Sequence, residues 1–164
     1  MKVLNIHTRT IHQPKDKLAE LFKTLASKND RMLATDKWPP MILDNGLQVG
    51  SKGGHGPIKY TVQEFEPDEF IQFAFTRPKG FNGFHKFEMT RLNDHSTELK
   101  HTIDMNITLS AAIKWVIAIR WLHDAYIEDA FDKIENYSAS EKKTSEWSGW
   151  VKLLRMILKS KKSQ

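Results

Sequence analysis

The chain has no cysteine among its 164 residues and no long hydrophobic run. Without cysteine there is no disulfide, no thiolate metal site and no cysteine nucleophile. No stretch approaches the roughly 20 consecutive apolar residues of a membrane-spanning helix. The opening residues, MKVLNIHTRTI, also lack the apolar core of a secretory signal. These absences predict a cytoplasmic protein.

Outside the C-terminal tail, the chain has no excess of positive or negative charge. Residues 141–164 hold seven Lys or Arg against two Glu, so the whole net charge of +5 lies there. The neutral body predicts no nucleic-acid partner, because such partners require a basic surface. With 40% hydrophobic residues, the chain has enough apolar mass for one soluble domain with a sizeable core.

The pattern along the chain predicts a strand, a short helix, consecutive strands and a long helix. Residues 2–12 are rich in β-branched residues, and Pro14 suits the start of an amphipathic helix. Strand-like runs follow at 46–52, 57–65, 69–76, 83–92 and 99–107, separated by turn sequences. A segment without Gly or Pro from Ser110 to about Tyr137 predicts a long helix. This order predicts an α+β fold with an antiparallel sheet.

Three histidines are predicted to face one interior space. The alternation of LKHTIDMNI, residues 99–107, places His101 on the apolar face of its strand. His85 lies in register with Phe87, and the hairpin is expected to pair Phe87 with His101. A one-residue slip would instead place Glu88 opposite His101.

The long helix has an apolar side and an acidic side. The apolar stripe is predicted to comprise Ala112, Val116, Ile119, His123, Ile127, Ala130 and Ile134. The acidic side, predicted to face water, comprises Glu128, Asp129, Asp132, Glu135 and Asn136. His123 therefore falls near the middle of the inward stripe.

Several local strings resemble the SRPBCC group, the START-like and polyketide-cyclase-like helix-grip proteins. They are TIHQPKDKLAELF, the Trp38–Pro39 pair, GGHGPIKYTV, GFNGFHKF, LKHTI and WVIAIRWLHDA. The last four together resemble an uncharacterised bacterial branch, and the resemblance covers residues 1–137. It implies a curved antiparallel sheet around a long C-terminal helix, with a cavity for an apolar ligand between them. Members of the group include lipid carriers, polyketide binders and cyclases, so the fold does not select a function.

The resemblance and the element order predict a helix-grip domain at 1–138, a polar linker at 139–146 and a basic amphipathic helix at 147–164. Trp147, Trp150, Val151, Leu154 and Leu158 form the apolar stripe of this last helix. Two interpretations remain open. The helix packs on the outward side of the long helix, or it contacts a membrane surface or a partner.

The ligand-binding residues predicted from strand and helix parity are Tyr60, Phe73, Phe75, His85, Phe87, His101, Met105, Ile119 and His123. Each histidine is either a hydrogen-bonded core residue or a group that binds a ligand or moves a proton. No cofactor and no metal is predicted, because the histidines lack the i,i+4 spacing of a helical ligand pair. No catalytic residue is assigned: His123 and Asp124 are adjacent on a helix and are expected to point apart.

The glycine-rich stretch GSKGGHGP at 50–57 lacks the ending of a phosphate loop and precedes a strand. It is expected to be a flexible loop at the cavity mouth, with His55 exposed.

The sequence thus predicts a protein that binds a small hydrophobic ligand of lipid, polyketide or aromatic type. One alternative is a cyclase or dehydratase that uses an inward histidine as acid or base. Another is a lipid-handling peripheral membrane protein that uses residues 147–164.

Overall fold

A seven-stranded antiparallel sheet organises the computed structural model, which describes residues 1–160. The strands are β1 (Lys2–Ile11), β2 (Ile42–Leu43), β3 (Lys52–His55), β4 (Ile58–Glu66), β5 (Phe70–Arg77), β6 (Phe81–Asn93) and β7 (Ser96–Ile107). Their order across the sheet is β1-β7-β6-β5-β4-β3-β2. The helices are α1 (Lys15–Phe22), α2 (Leu109–Lys114), α3 (Arg120–Glu135) and α4 (Gly149–Ser160), with a π-helical turn at Trp115–Ile119. The prediction of a helix-grip fold with an extra C-terminal helix is confirmed.

The β6–β7 hairpin has the predicted register. Phe87 pairs with His101, and Met89 pairs with Leu99. At the turn, the Asn93 side-chain oxygen accepts a 2.9 Å hydrogen bond from the backbone N–H of His95. A one-residue slip would turn Phe87 and Met89 outward, and burial of these side chains excludes that register.

The middle of the glycine-rich stretch forms strand β3 (Lys52–His55), so its prediction as a loop is wrong. The predicted strand at 46–52 is also wrong, because residues 46–50 form bends and turns. A Cβ atom on Gly53 would lie 1.9 Å from the Ile42 carbonyl oxygen, and one on Gly54 would lie 2.0 Å from that of Ile58. The two glycines therefore permit close approach of β3 to its neighbouring strands.

The π-helical turn changes which residues of the long helix face inward. Trp115 is buried, whereas Val116 is 53% exposed, so the predicted inward position of Val116 is wrong. A π-helical turn takes in one residue more than an α-helical turn, which rotates the preceding helix about its axis. Ile127, Ala130 and Ile134, which follow the turn, are buried as predicted.

The acidic side of α3 does not face water, contrary to the prediction. Asp129 and Asp132 are 1% and 4% exposed. Arg9 on β1 donates to Asp132 over 3.1 Å, to Glu135 over 2.8 Å and to Glu128 over 2.7 Å. Helical periodicity identifies the charged side of a helix but not the cations that meet it.

The described part of the tail packs on α3 around the buried carboxylate of Asp129. This carboxylate accepts hydrogen bonds from Trp38 Nε1 and Trp147 Nε1, each over 2.7 Å, and from Lys37 Nζ over 2.6 Å. The Arg155 guanidinium lies 4.1 Å from the centre of the Trp38 ring and 4.2 Å from that of Trp147. Residues 161–164 of the predicted tail helix lie outside the described residues.

We predict that Trp147→Phe lowers the free energy of unfolding by about 1–2 kcal/mol, because a hydrogen bond to a buried carboxylate is lost while ring packing is kept. Urea unfolding followed by circular dichroism measures the change. The matched control is Trp121→Phe, whose indole is 39% exposed and donates to the Val116 carbonyl over 3.0 Å. Its expected change is within about 0.5 kcal/mol. Equal losses in both variants would contradict the role of Asp129 in holding the tail.

Candidate functional site

A cavity of about 160 Å³ lies between the sheet and the long helix. Its polar lining comes from His55, His85, His101, His123 and Tyr126. The remaining lining is Trp38, Pro39, Met41, Gly56, Pro57, Ile58, Phe75, Phe81, Phe87, Ile103, Trp115, Ile119, Leu122, Ile127 and Leu158. A cavity of this volume holds a molecule of about the size of benzene.

Six of the nine residues predicted to bind a ligand line this cavity: Phe75, His85, Phe87, His101, Ile119 and His123. The other three lie behind it. The Tyr60 hydroxyl is 3.1 Å from Nδ1 of His55, and the Phe73 ring stacks on His85 with 4.7 Å between centroids. Met105 does not line the cavity, but it packs in one apolar cluster with Phe81 and Trp115, which do.

His55 faces the cavity, so its prediction as an exposed loop residue is wrong. Its ring stacks on Tyr126 with 4.9 Å between centroids. Burial lowers the pKa of His55 to about 4, assisted by the charges of His123 and Lys59. The two-residue turn Gly56–Pro57 between β3 and β4 is the sequence feature that indicates a hairpin here.

Asp124 is the centre of a hydrogen-bonded cluster that joins α3 to β1. Its Oδ1 atom lies 3.0 Å from Nδ2 of Asn5, 3.1 Å from Nε2 of His7 and 3.3 Å from Nδ1 of His123. Burial opposes ionisation of Asp124, but the hydrogen bonds from His123 and His7 outweigh it and hold its pKa well below the usual range. The expectation that His123 and Asp124 point apart is therefore wrong.

His7 lies between two carboxylates. Its Nδ1 is 2.8 Å from Oε1 of Glu128, and its Nε2 faces Asp124. Burial lowers the pKa of His7, but Asp124 and Glu128 together outweigh burial and raise it above the usual value. A carboxylate only accepts hydrogen bonds, so these two contacts favour the imidazolium form of His7, in which both ring nitrogens donate.

The same cluster contains the one metal-like grouping found within residues 1–160. Candidate ligand atoms of His7, His123 and Asp124 lie within 4.8 Å of one another. An imidazolium has no lone pair for a metal ion, since histidine binds metals in its neutral form. The charges therefore favour a hydrogen-bonded ion pair at this position over metal ligation.

The contact with Asp124 determines which nitrogen of His123 carries the proton. Because the carboxylate accepts, Nδ1 of His123 donates and its Nε2 keeps a lone pair. Nε2 is buried without a hydrogen-bond partner, on a ring that lines the cavity. Burial lowers the pKa of His123, although Asp124 partly offsets this, so the ring is neutral. His123 thus carries a buried acceptor without a partner on a ring that lines the cavity.

His85 and His101 form a second pair, with 3.4 Å between Nδ1 of His85 and Nε2 of His101. Burial lowers the pKa of both rings well below the usual value. Their other nitrogens, together with the Tyr126 hydroxyl, are buried without partners. Whichever ring donates within the pair, one N–H and one lone pair remain unused. The cavity therefore offers both donors and acceptors in an apolar setting.

No protein-family model and no curated protein matches the chain. Solved structures match the chain in fold. Norcoclaurine synthase from Thalictrum flavum, in complex with dopamine and hydroxybenzaldehyde, matches with a TM-score of 0.64 and 12% identity over 86% of this chain and 90% of that one. A protein from Thermobifida fusca matches with a TM-score of 0.59 and 14% identity over 87% and 98% of the two chains.

A conserved protein of unknown function from Enterococcus faecalis matches 99% of this chain and 86% of its own, with a TM-score of 0.60 and 9% identity. Identities this low carry information about the fold and not about the chemistry of the site. The likeness agrees with the strand order and the long helix described above. The chain has the helix-grip fold.

Proposed function

We propose that this protein binds a small, uncharged and mainly apolar molecule in the cavity between the sheet and the long helix. The observation that carries the proposal is the set of buried polar atoms without partners: His85 Nε2, His101 Nδ1, His123 Nε2 and the Tyr126 hydroxyl. Each such atom costs about 1–3 kcal/mol when it is left unsatisfied. A ligand with a hydroxyl or carbonyl group would recover part of that cost.

Cavity volume favours a one-ring ligand. Typical ligand pockets measure about 300–1,000 Å³, whereas this one measures about 160 Å³. Among the lipid, polyketide and aromatic classes considered from the sequence, a single aromatic ring suits this volume best. Pro39, Gly56, Pro57 and Leu158 line the cavity and are exposed, so a substituent can extend between them toward solvent.

We also place the chain in the SRPBCC superfamily, in an uncharacterised bacterial branch. The strings GGHGPIKYTV and WVIAIRWLHDA support this assignment, and the helix-grip fold agrees with it. Norcoclaurine synthase, which shares the fold, was solved with dopamine and hydroxybenzaldehyde, both of which contain one aromatic ring. At 12% identity this likeness concerns the fold, so the one-ring ligand class is argued from the volume and lining of the cavity.

We predict that phenol binds to the purified protein and binds about three- to tenfold more tightly than toluene, because its hydroxyl satisfies a buried histidine nitrogen. Isothermal titration calorimetry measures both affinities. Ile119→Trp fills the cavity and should abolish binding of both compounds.

The matched control is Val116→Trp, which adds the same side chain one turn earlier at a position that is 53% exposed. This variant should bind phenol like the wild type. Unchanged binding in Ile119→Trp, or equal affinity for phenol and toluene, would count against the proposed site.

The histidines of the cavity resist protonation, and a cavity without charge favours an uncharged ligand. The unfolded chain binds protons on histidine near pH 6.5, whereas the folded pKa of His55 is about 4, and those of His85, His101 and His123 are also lowered. Stability from these groups is therefore lost as pH falls below 6.5. His7, with its raised pKa, has the opposite sign and loses its contribution as pH rises above 6.5.

We predict that the free energy of unfolding falls between pH 7.5 and pH 5, with about 2 kcal/mol of the loss due to His55 alone. Urea titrations at several pH values measure it. His55→Phe should remove that part of the pH dependence. The control, Tyr137→Phe, removes an exposed hydroxyl that accepts from Arg31 and should leave the pH dependence unchanged. A steeper or unchanged pH dependence in His55→Phe would contradict the assignment.

A second candidate function, contact with a lipid surface, is favoured by one exposed apolar surface. We call it the two-helix surface; it comprises Leu109, Ile113, Val116, Ile117, Trp121, Trp150, Leu153 and Met156, each at least 39% exposed. Trp150 Nε1 donates to the Ile117 carbonyl over 2.9 Å and joins its two parts. The same helices also carry exposed basic residues, namely Lys114, Arg120 and Lys152. Apolar side chains flanked by basic ones suit a surface of anionic lipid headgroups. Within residues 1–160, no helix has both the length and the hydropathy to cross a membrane.

We predict that the protein co-sediments with phosphatidylcholine vesicles that contain phosphatidylserine, and that binding weakens as salt is added. Leu153→Ser combined with Met156→Ser should reduce binding severalfold. The control, Leu4→Ser combined with Ile6→Ser, removes two apolar side chains that are exposed on β1 and should have little effect. Absence of binding at low salt would reject this second function.

A further inference from the structure

Two of the cavity's polar groups lie on one turn of α3. His123 and Tyr126 are three residues apart, so they share a face of the helix, and both line the cavity. The first carries a buried lone pair on Nε2, and the second carries a buried hydroxyl without a partner. An acceptor and a donor that approach one ligand from the same helix suit a proton-transfer reaction.

We propose that His123 is a general base that removes a proton from the carbon beside the carbonyl group of a bound ketone or aldehyde, with Tyr126 as hydrogen-bond donor to the carbonyl oxygen and Asp124 as positioning residue. This inference rests on the proposed binding function. It adds a reaction class, proton abstraction next to a carbonyl, to the binding of a small ring.

The step is balanced without a further reactant. Nε2 of His123 takes the proton, the carbon–hydrogen bond breaks, and its electron pair forms a carbon–carbon double bond. The carbonyl π electrons move to oxygen, where the hydroxyl of Tyr126 stabilises the enolate by a hydrogen bond. Return of a proton from His123 or from solvent restores the carbonyl compound, so the minimal reaction is enolisation.

Asp124 is suited to position His123 because two residues on β1 hold its carboxylate in place. Asn5 and His7 on β1 hold the same Oδ1 atom that faces Nδ1 of His123. This contact keeps the His123 proton on Nδ1 and leaves Nε2 free to accept. When His123 takes a proton, the adjacent carboxylate stabilises the imidazolium that forms.

Titratable groups from four elements surround His123. Asp124 contacts it on α3 and His7 faces it from β1, with 5.7 Å between ring centroids. The neutral His101 ring approaches from β7 with 5.0 Å between centroids, and His55 lines the same cavity. The anion and the cation nearest to His123 are thus Asp124 and His7, which are paired with each other.

We test the proposal with cyclohexanone in heavy water, since this ketone is about the size of phenol and exchanges its α-hydrogens through the enol. Proton NMR follows the loss of the α-hydrogen signal, and phenol is added as a competitor for the same cavity. The wild type should accelerate exchange in a saturable manner, and phenol should inhibit it.

His123→Gln should lower the exchange rate by about 100-fold or more, in line with the usual contribution of a general base. Asp124→Asn should lower kcat about tenfold or more with KM little changed, because the amide can donate to Nδ1 and reverse the tautomer. Tyr126→Phe should lower kcat as well. The controls are His95→Gln and Asp104→Asn, two exposed or partly exposed groups outside the cavity, and both should match the wild type.

A second measurement needs no ligand. Long-range proton–nitrogen NMR of the imidazole rings, assigned with His123→Gln, should find the His123 proton on Nδ1 in the wild type and displaced in Asp124→Asn. A proton on Nε2 in the wild type overturns the proposal. Phenol binding without accelerated exchange also overturns it, and leaves the binding function intact. Failure of phenol to bind overturns the binding function and the proton-transfer proposal together.

Discussion

The carboxylates of α3 pair with side chains of other elements, and this pairing fixes how α3 is oriented against the sheet. Arg9 and His7 reach Glu128, Asp124, Asp132 and Glu135 from β1, while Trp38, Lys37 and Trp147 reach Asp129 from the opposite flank. Rotation of α3 about its axis would leave buried carboxylates without partners, which is strongly unfavourable. The rotation is therefore fixed, and His123 and Tyr126 face the cavity as a consequence.

The cavity itself works against stability. Four buried polar atoms around it lack partners in an apolar setting, and the low dielectric that makes such atoms costly also strengthens any hydrogen bond a ligand supplies. Neutral histidines suit this setting, because each offers a donor and an acceptor without the larger desolvation cost of a charge. The only charged imidazole assigned in the described chain, that of His7, lies between two carboxylates and outside the cavity lining.

Periodicity in the sequence predicts most of the fold and six of the twenty residues that line the cavity. Strand alternation gives the β6–β7 register and with it His85 and His101, and helical spacing gives His123. It misses His7 because β1 reverses the usual rule: Leu4 and Ile6 are exposed, while Asn5 and His7 face α3. These inward polar residues are explained only by carboxylates that lie more than 100 residues away in the chain, and no local pattern encodes such a pairing.

The π-helical turn at Trp115–Ile119 has a consequence for how this helix is aligned with the helices of other chains. Such a turn is equivalent to one residue inserted into an α-helix, and here it contains both the buried Trp115 and the exposed Val116. A chain of the same fold with a regular α-helix here would need a one-residue gap at this turn in an alignment with this sequence. Without that gap, residues before the turn would be paired with positions on the wrong side of the helix, and the cavity-forming Trp115 would be matched to a surface residue.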